Sequence, residues 1–269
     1  MKIKFRVNLK ERIYFAIMVI VSIAFYYYIF NLMTNHSFHI KGTSIEKLEN
    51  TSAIIIQNTI LFYVAIIIAF IIIANMVFIG YIRGNAVKIS EKQLPEIFEI
   101  LKKQSEDLNL SKIPSIYLIQ GNGVLNAFAT RFICKNYIVL HSEIVEEAYK
   151  KGIAAVEFII GHELGHIKRK HISFFKTWFL FPSRLIPFLH SAYSRACEYT
   201  CDSIGHALCP NGFKPGMLML AAGKELSSKV DVDEYLSSAK NDSGFVTWIA
   251  EIFSTHPHIS KRVKALYKK

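Results

Sequence analysis

Charge is absent from two long stretches of this chain. No Asp, Glu, Lys or Arg occurs from residue 13 to 33, and none from 51 to 82. Each stretch exceeds the ~20 residues that cross a hydrocarbon core. A buried core helix of that length normally shows a polar stripe. Neither stretch does, which excludes an ordinary core helix and predicts membrane spans at about 13–33 and 54–82. The first apolar run is longer than the ~7–15 residues of a secretory signal, and no small-x-small cleavage site follows, so an uncleaved anchor is expected. Cysteine is scarce as well. The four, Cys134, Cys197, Cys201 and Cys209, form no Cys-x-x-Cys pair, which excludes a structural zinc site of paired thiolates. They read as small buried hydrophobes, kept reduced in a cytoplasmic domain. Internal repeats, low-complexity linkers and base-reading motifs are also missing.

The charge that is present is lopsided, with a net +11. Lys2, Lys4, Arg6, Lys10 and Arg12 precede the first apolar stretch, and Arg83, Lys88 and Lys92 follow the second. The connecting residues 34–50 carry only Lys41 and Lys47 against Glu46 and Glu49. Basic loops stay on the cytoplasmic side, so both termini are expected there and the short connection outside. Further basic clusters are Lys168-Arg169-Lys170 and the tail, 261–269. Attraction to anionic headgroups accounts for this excess. A lipid bilayer is the expected partner and nucleic acid is not.

The most informative stretch is Gly161-His162-Glu163-Leu164-Gly165-His166. Residues four apart on a helix share a face about one turn apart. His162 and His166 can therefore offer imidazole nitrogens to one zinc ion, with Glu163 placed to take a proton from its water. Ala154, Ala155, Val156, Phe158, Ile159, Ile160, Leu164 and Ile167 make the helix apolar, and no proline interrupts it. Catalytic zinc usually takes three protein ligands and leaves one position open. A third histidine in the metzincin pattern would need Gly at 169 and His at 172; Arg169 and Ile172 stand there instead, and His171 is one residue out of place. The other route is a carboxylate from a second helix. Of the downstream glutamates, Glu198, Glu225, Glu234 and Glu251, only Glu198 has a carboxylate four residues on, Asp202. Glu198 could bind the metal while Asp202 accepts a hydrogen bond from the far nitrogen of a ligating histidine.

A third element is Ser254-Thr255-His256-Pro257, with Arg262 five residues after the proline, and a fourth is Asn126-Ala127-Phe128-Ala129. Together with His-Glu-x-x-His and Glu-x-x-x-Asp, these resemble the HtpX-like membrane zinc metalloendopeptidases, gluzincins related to the CAAX prenyl proteases and the Oma-type proteases. The resemblance runs from about residue 82 to the C-terminus. It implies one Zn²⁺ per chain held by His162, His166 and Glu198, with Glu163 as general base and acid. It further implies His256 as a candidate for steadying the tetrahedral intermediate and Arg262 as a residue that orients the site. Protein or peptide substrates follow from it, damaged membrane proteins among them, cut on the cytoplasmic side. Processing of tethered or prenylated peptides is a second enzyme reading, disfavoured because the chain lacks the many spans that enclose a chamber in the prenyl proteases. A zinc-bound but inactive scaffold is a third, against which the intact Glu163 speaks.

The chain departs from the HtpX pattern between His166 and Glu198, where those relatives have further spans. Here the apolar patch 174–189 is broken by Lys176, Pro182, Arg184 and Pro187. One span would put His166 and Glu198 on opposite sides of the membrane, and a hairpin would need about 40 apolar residues. The patch is either protein core or a segment resting on the bilayer. Elsewhere, 94–108 has a helical rhythm, 116–119 and 137–140 read as strands, and Ser142 before Glu143, Glu146 and Glu147 marks a helix start. The expected architecture is α+β: a two-helix anchor over 1–82, then a mostly helical zincin-type domain over 83–269 with a small sheet. Residues 126–130 are expected at the sheet's edge near the metal, where Asn126, Ala127, Phe128 and Ala129 can bind an extended peptide by adding it as a strand.

Overall fold

The computed structural model describes residues 3–35, 44–132 and 134–267. Two long helices come first, α1 (Leu9–Asn35) and α2 (Ser44–Asn85). Their segments Leu9–Leu32 and Ile54–Asn85 are long and apolar enough to cross a membrane, and protein covers little of either. The expected connection is shorter than the charge pattern implies, because residues 44–50 already belong to α2. Glu46, Lys47, Leu48 and Glu49 are good helix formers, and extending an existing helix is cheap. Lys41, Lys2 and the last two residues lie outside the described residues. At ~1.5 Å per residue, α2 is longer than a ~30 Å hydrocarbon core requires. Its far end packs on protein: Ile79 and Ile82 are buried with Tyr117, Tyr137 and Val139.

A small sheet follows, built from β1 (Val87–Lys88), β2 (Ser115–Ile119), β3 (Ala127–Phe132) and β4 (Lys135–His141), with α3 (Pro95–Asp107) between β1 and β2. The strand order is β1-β2-β4-β3, parallel only between β2 and β4. Alternate residues face opposite sides. Ile116, Ile138 and Leu140 enter the main core, while Tyr117, Tyr137 and Val139 meet the end of α2. Covering both faces explains why β4 reads as one apolar run. β3 pairs with β4 alone among the described residues and forms an edge. It starts at Ala127; Asn126 lies just outside it, its carbonyl still accepting from the His141 amide at 3.0 Å.

α4 (Ser142–Lys151) starts where expected, but Ser142 is its first residue and not its cap. The hydroxyl donates to Glu143 Oε2 at 3.2 Å. Glu143 in turn accepts from the amides of Gly121 and Gly123 and pins the loop before β3. The remaining helices are α5 (Ala154–Lys168), α6 (Phe174–Phe179), α7 (Leu189–Leu208), α8 (Pro210–Leu226), α9 (Val232–Asn241), α10 (Phe245–Phe253) and α11 (Ile259–Tyr267). α5 is buried along most of its length and lies at the centre, against α7, α8 and the sheet. A helix apolar on all sides has no other stable place in an α+β unit.

The patch 174–189 is not core. Phe174, Phe175, Phe179, Phe181, Leu185, Ile186 and Phe188 are exposed, with Phe175 at 81%. The segment lies along α1: Leu180 is buried with Met18, and the Tyr26 hydroxyl donates to the Trp178 carbonyl. The cysteines also divide. Cys197, Cys201 and Cys209 are buried as expected, but Cys134 is exposed in the tight β3–β4 connection.

Candidate active site

The site forms where α5 crosses α7. The backbones nearly touch there: a Cβ on Gly161 would lie 3.1 Å from Gly205 Cα, and one on Gly165 would lie 3.2 Å from Cys201 Cα. On the α5 face turned to α7, His162 Nε2 and His166 Nε2 are 3.2 Å apart. Glu198 on α7 brings Oε2 to 3.4 Å from His162 Nε2 and Oε1 to 3.3 Å from His166 Nε2. Ligands bonded at ~2.0–2.1 Å in a tetrahedron stand about 3.3–3.4 Å apart. The two imidazoles stand at such a spacing, and each has a different oxygen of the one Glu198 carboxylate at a like distance, an arrangement that could hold a zinc-sized ion. The charge balance suits one too. The carboxyl groups of Glu163, Glu198 and Asp202 are all buried, against the single buried guanidinium of Arg262.

Behind the two imidazoles lies a supporting network. Asp202 Oδ1 is 2.9 Å from His162 Nδ1. Arg262, delivered by α11, donates to both Asp202 oxygens at 2.8 and 2.6 Å and lies 3.4 Å from Glu198. Burial alone would pull His162 down, but Asp202 and Glu198 raise it to about 10. Burial would raise Glu198, but His162 and His166 hold it well below the usual carboxylate range. Asp202 is likewise opposed by burial and held low by Arg262 and His162. All three shifts favour positive charge between the donors.

Two other clusters, His166–His171–Cys201 and Glu11–His171–Cys197, also have metal-ligand atoms close together. Burial pushes the Cys201 thiol well above its usual range and Cys197 up to about 12. Burial also holds His171 down to about 4.

A cleft of about 530 Å³ opens over the convergence point, lined by Glu163, His162, His166, Glu198, His256 and Asn126 to Ala129. The expected residues from four separate segments thus share one cavity wall. His256 Nε2 is 3.8 Å from Glu198 Oε1, with the side chain 66% exposed. Its loop is tied by Arg195, which the sequence reading did not single out. Arg195 Nη1 donates to the carbonyls of Glu251, Ile252 and Ser254 and so closes the end of α10. An arginine three residues before Glu198 carries no sequence signal of that role.

The chain matches the family model described as "Peptidase family M48" over residues 91–180 and 173–269. The chain belongs to this peptidase family. Two similar proteins carry the name "Protease HtpX homolog". One, from Helicobacter pylori, is 25% identical over 273 residues, covering 85% of this chain and 86% of its own length. The other, from Helicobacter acinonychis, is 25% identical over 257 residues, covering 79% and 81%. A solved structure of S. mikatae Ste24p is similar at a TM-score of 0.49 and 15% identity, covering 81% of this chain and 64% of that one. Membership of family M48 makes the chain a metalloprotease of a zinc-dependent family, and its long apolar helices make it membrane-associated.

Within that family setting, the Asp202 contact yields a test. Asp202→Asn removes the charge that fixes the His162 proton on Nδ1. Zinc affinity should fall about 10–100-fold, as losses of such supporting partners usually do. Competition with a chromophoric chelator measures it; an unchanged affinity refutes the supporting role.

Proposed function

We propose that the chain is a membrane-anchored zinc endopeptidase whose single Zn²⁺ is held by His162, His166 and Glu198. The observation that carries this reading is the convergence of two imidazole nitrogens and one carboxylate, each oxygen of which lies within 3.4 Å of one imidazole, under a cleft that also contains Glu163. When bound, zinc supplies Lewis acidity: it polarises a carbonyl and lowers the pKa of water from 15.7 toward about 7. The chain's own residues do the rest. Glu163 takes the proton of the attacking water as its oxygen bonds to the scissile carbon. As the C–N bond breaks, Glu163 gives a proton to the departing amine. Nε2 of His256 donates to the developing oxyanion. Asp202, held by Arg262, accepts from Nδ1–H of His162 and so would leave Nε2 as the nitrogen offered to a metal.

Substrate binding is assigned to Asn126, Ala127, Phe128 and Ala129. His141 donates to Asn126 across the β3–β4 ladder, so that pair is hydrogen-bonded. The next pair, Ala127 and Leu140, is then of the other kind. The amides of Ala127 and Ala129 accordingly face the open edge and can pair with an extended peptide. Main-chain pairing selects little by sequence, which suits a role in membrane protein quality control.

Residues 1–82 form the anchor and 83–269 the protease domain, which faces the cytoplasm. Basic residues at Arg6, Lys10, Arg12, Arg83 and Lys88 support that orientation. The exposed aromatics of 174–189, packed along α1, support contact of this segment with the bilayer.

Three measurements test the reading. Glu163→Gln should keep near-stoichiometric zinc yet lose about 10²–10⁴-fold of casein cleavage, whereas His162→Ala, His166→Ala and Glu198→Gln should lose the metal. Full activity in Glu163→Gln would end the hydrolase mechanism. Ala127→Pro removes an outward amide at an edge, where proline is tolerated; it should raise KM or abolish cleavage with zinc retained, and unchanged kinetics would exclude docking there. In cells, an impermeant maleimide should reach the native exposed Cys134 only after permeabilisation. Labelling of intact cells would reverse the orientation.

A further inference from the structure

We infer that Glu11 and His171 are positioning residues for His166, so that the metal centre is completed by the first turn of the first membrane helix. This rests on the proposed reading of His166 as a ligand. The two nitrogens of the His166 ring face different partners. Nε2 of His166 faces His162 and Glu198. Its Nδ1 lies 3.2 Å from Nδ1 of His171. Two imidazole nitrogens at that distance share one proton, and the direction of that bond is set by what lies beyond. Nε2 of His171 is 3.2 Å from Glu11 Oε1. The same oxygen accepts from Arg169 Nε at 3.1 Å and Nη2 at 2.8 Å. Cys201 Sγ is 3.6 Å from His171 Nδ1 and can donate only weakly.

A carboxylate oxygen is an acceptor alone. Nε2 of His171 must therefore carry a proton and donate it to Glu11. On the proposed reading Nε2 of His166 is a ligand and carries no proton, so the ring's single N–H is at Nδ1 and donates to Nδ1 of His171. The opposite direction fails at both ends. It would aim an Nε2 proton of His166 into the metal site, and it would set a His171 lone pair against Glu11. Glu11 thus selects the binding tautomer of His166 through His171. The arrangement mirrors the other ligand, with Asp202 and Arg262 behind His162 and with Glu11 and Arg169 behind His166, one imidazole further out.

Glu11 can do this because α1 is docked. It is 2% exposed, although it lies between Lys10 and Arg12 just before the apolar stretch. The amide of Arg6 donates to Ser203 Oγ and that of Asn8 to Thr200 Oγ1, both on α7. Met18 is buried against Leu180, Tyr193 and Cys197. Metal binding and the seating of the membrane helix on α7 are therefore one structural event.

The test uses the full chain in detergent with zinc as the probe. Glu11→Met and His171→Phe should each weaken zinc binding about 10–100-fold. Because both act through one ring, the double variant should cost no more than either single one. Glu11→Gln keeps an acceptor oxygen and should recover most of the affinity. Nitrogen-15 NMR of histidine-labelled, zinc-loaded wild-type protein should find the proton of His166 on Nδ1 and that of His171 on Nε2, a signature that mere structural support would not require. His162→Ala is the control. If it loses zinc while Glu11→Met and His171→Phe keep wild-type affinity, the relay is wrong and the ligand assignment stands. If His162→Ala keeps its zinc, the ligand assignment fails and takes the relay with it. Protonation of His166 on Nε2 in the wild-type protein overturns the relay without any variant.

Discussion

Backbone contact between α5 and α7 is the constraint on which the site depends. Two imidazole nitrogens and a carboxylate come together within about 3.4 Å, and the imidazoles lie on a different helix than the carboxylate. Helices packed through ordinary side chains stand about 8–10 Å apart. Glu198 is short, and it reaches both imidazoles because Gly161 and Gly165 let α7 come in at Gly205 and Cys201. On that crossing rest the rows of residues that face it. Asp202, one turn beyond Glu198, falls behind His162. Thr200 and Ser203, on the other side of α7, receive the amides of Asn8 and Arg6.

Electrostatics then explains why so many charges are buried in so small a volume. An isolated buried carboxylate is costly. Here three are answered: Asp202 by Arg262 and His162, Glu198 by His162, His166 and Arg262, and Glu11 by Arg169 and His171. These groups lie on α1, on α5 and the turn after it, on α7 and on α11. The charged network holds these four segments in register, and its negative excess at the donors favours a cation there. The same network makes single losses expensive, since removing one partner strands another charge without solvent.

The apolar helices shape the outside of the molecule as the buried charges shape its inside. Most of α2 is bare of protein contact, and only its last turns are covered by the sheet. The segment between His166 and Glu198 stays short and runs beside α1 with its phenylalanines outward. The open edge of β3 lies on the same cleft as His162, Glu163, His166 and Glu198.

Much of this was legible in the residues. Two uncharged stretches determine that the chain meets a membrane, because no other solvent tolerates that much exposed apolar surface. The spacing of His162, Glu163 and His166 determines that one helix face offers two imidazoles, because helical periodicity is local. The pairing of Glu198 with Asp202 is local in the same way, and so are the strands around 116–119 and 137–140. What tertiary structure alone decided is which local patterns meet. Nothing near Glu11 announces a partner 158 residues away in Arg169; it reads as one acid in a basic flank. His171 reads as a histidine out of register, since its use depends on the turn that ends α5 and not on a repeat. The aromatic patch could pack inward or face lipid with the same composition, and Cys134 could be buried or bare. Period and propensity act over a few residues, whereas these outcomes depend on contacts between segments far apart in the chain, and only the closed fold sets those.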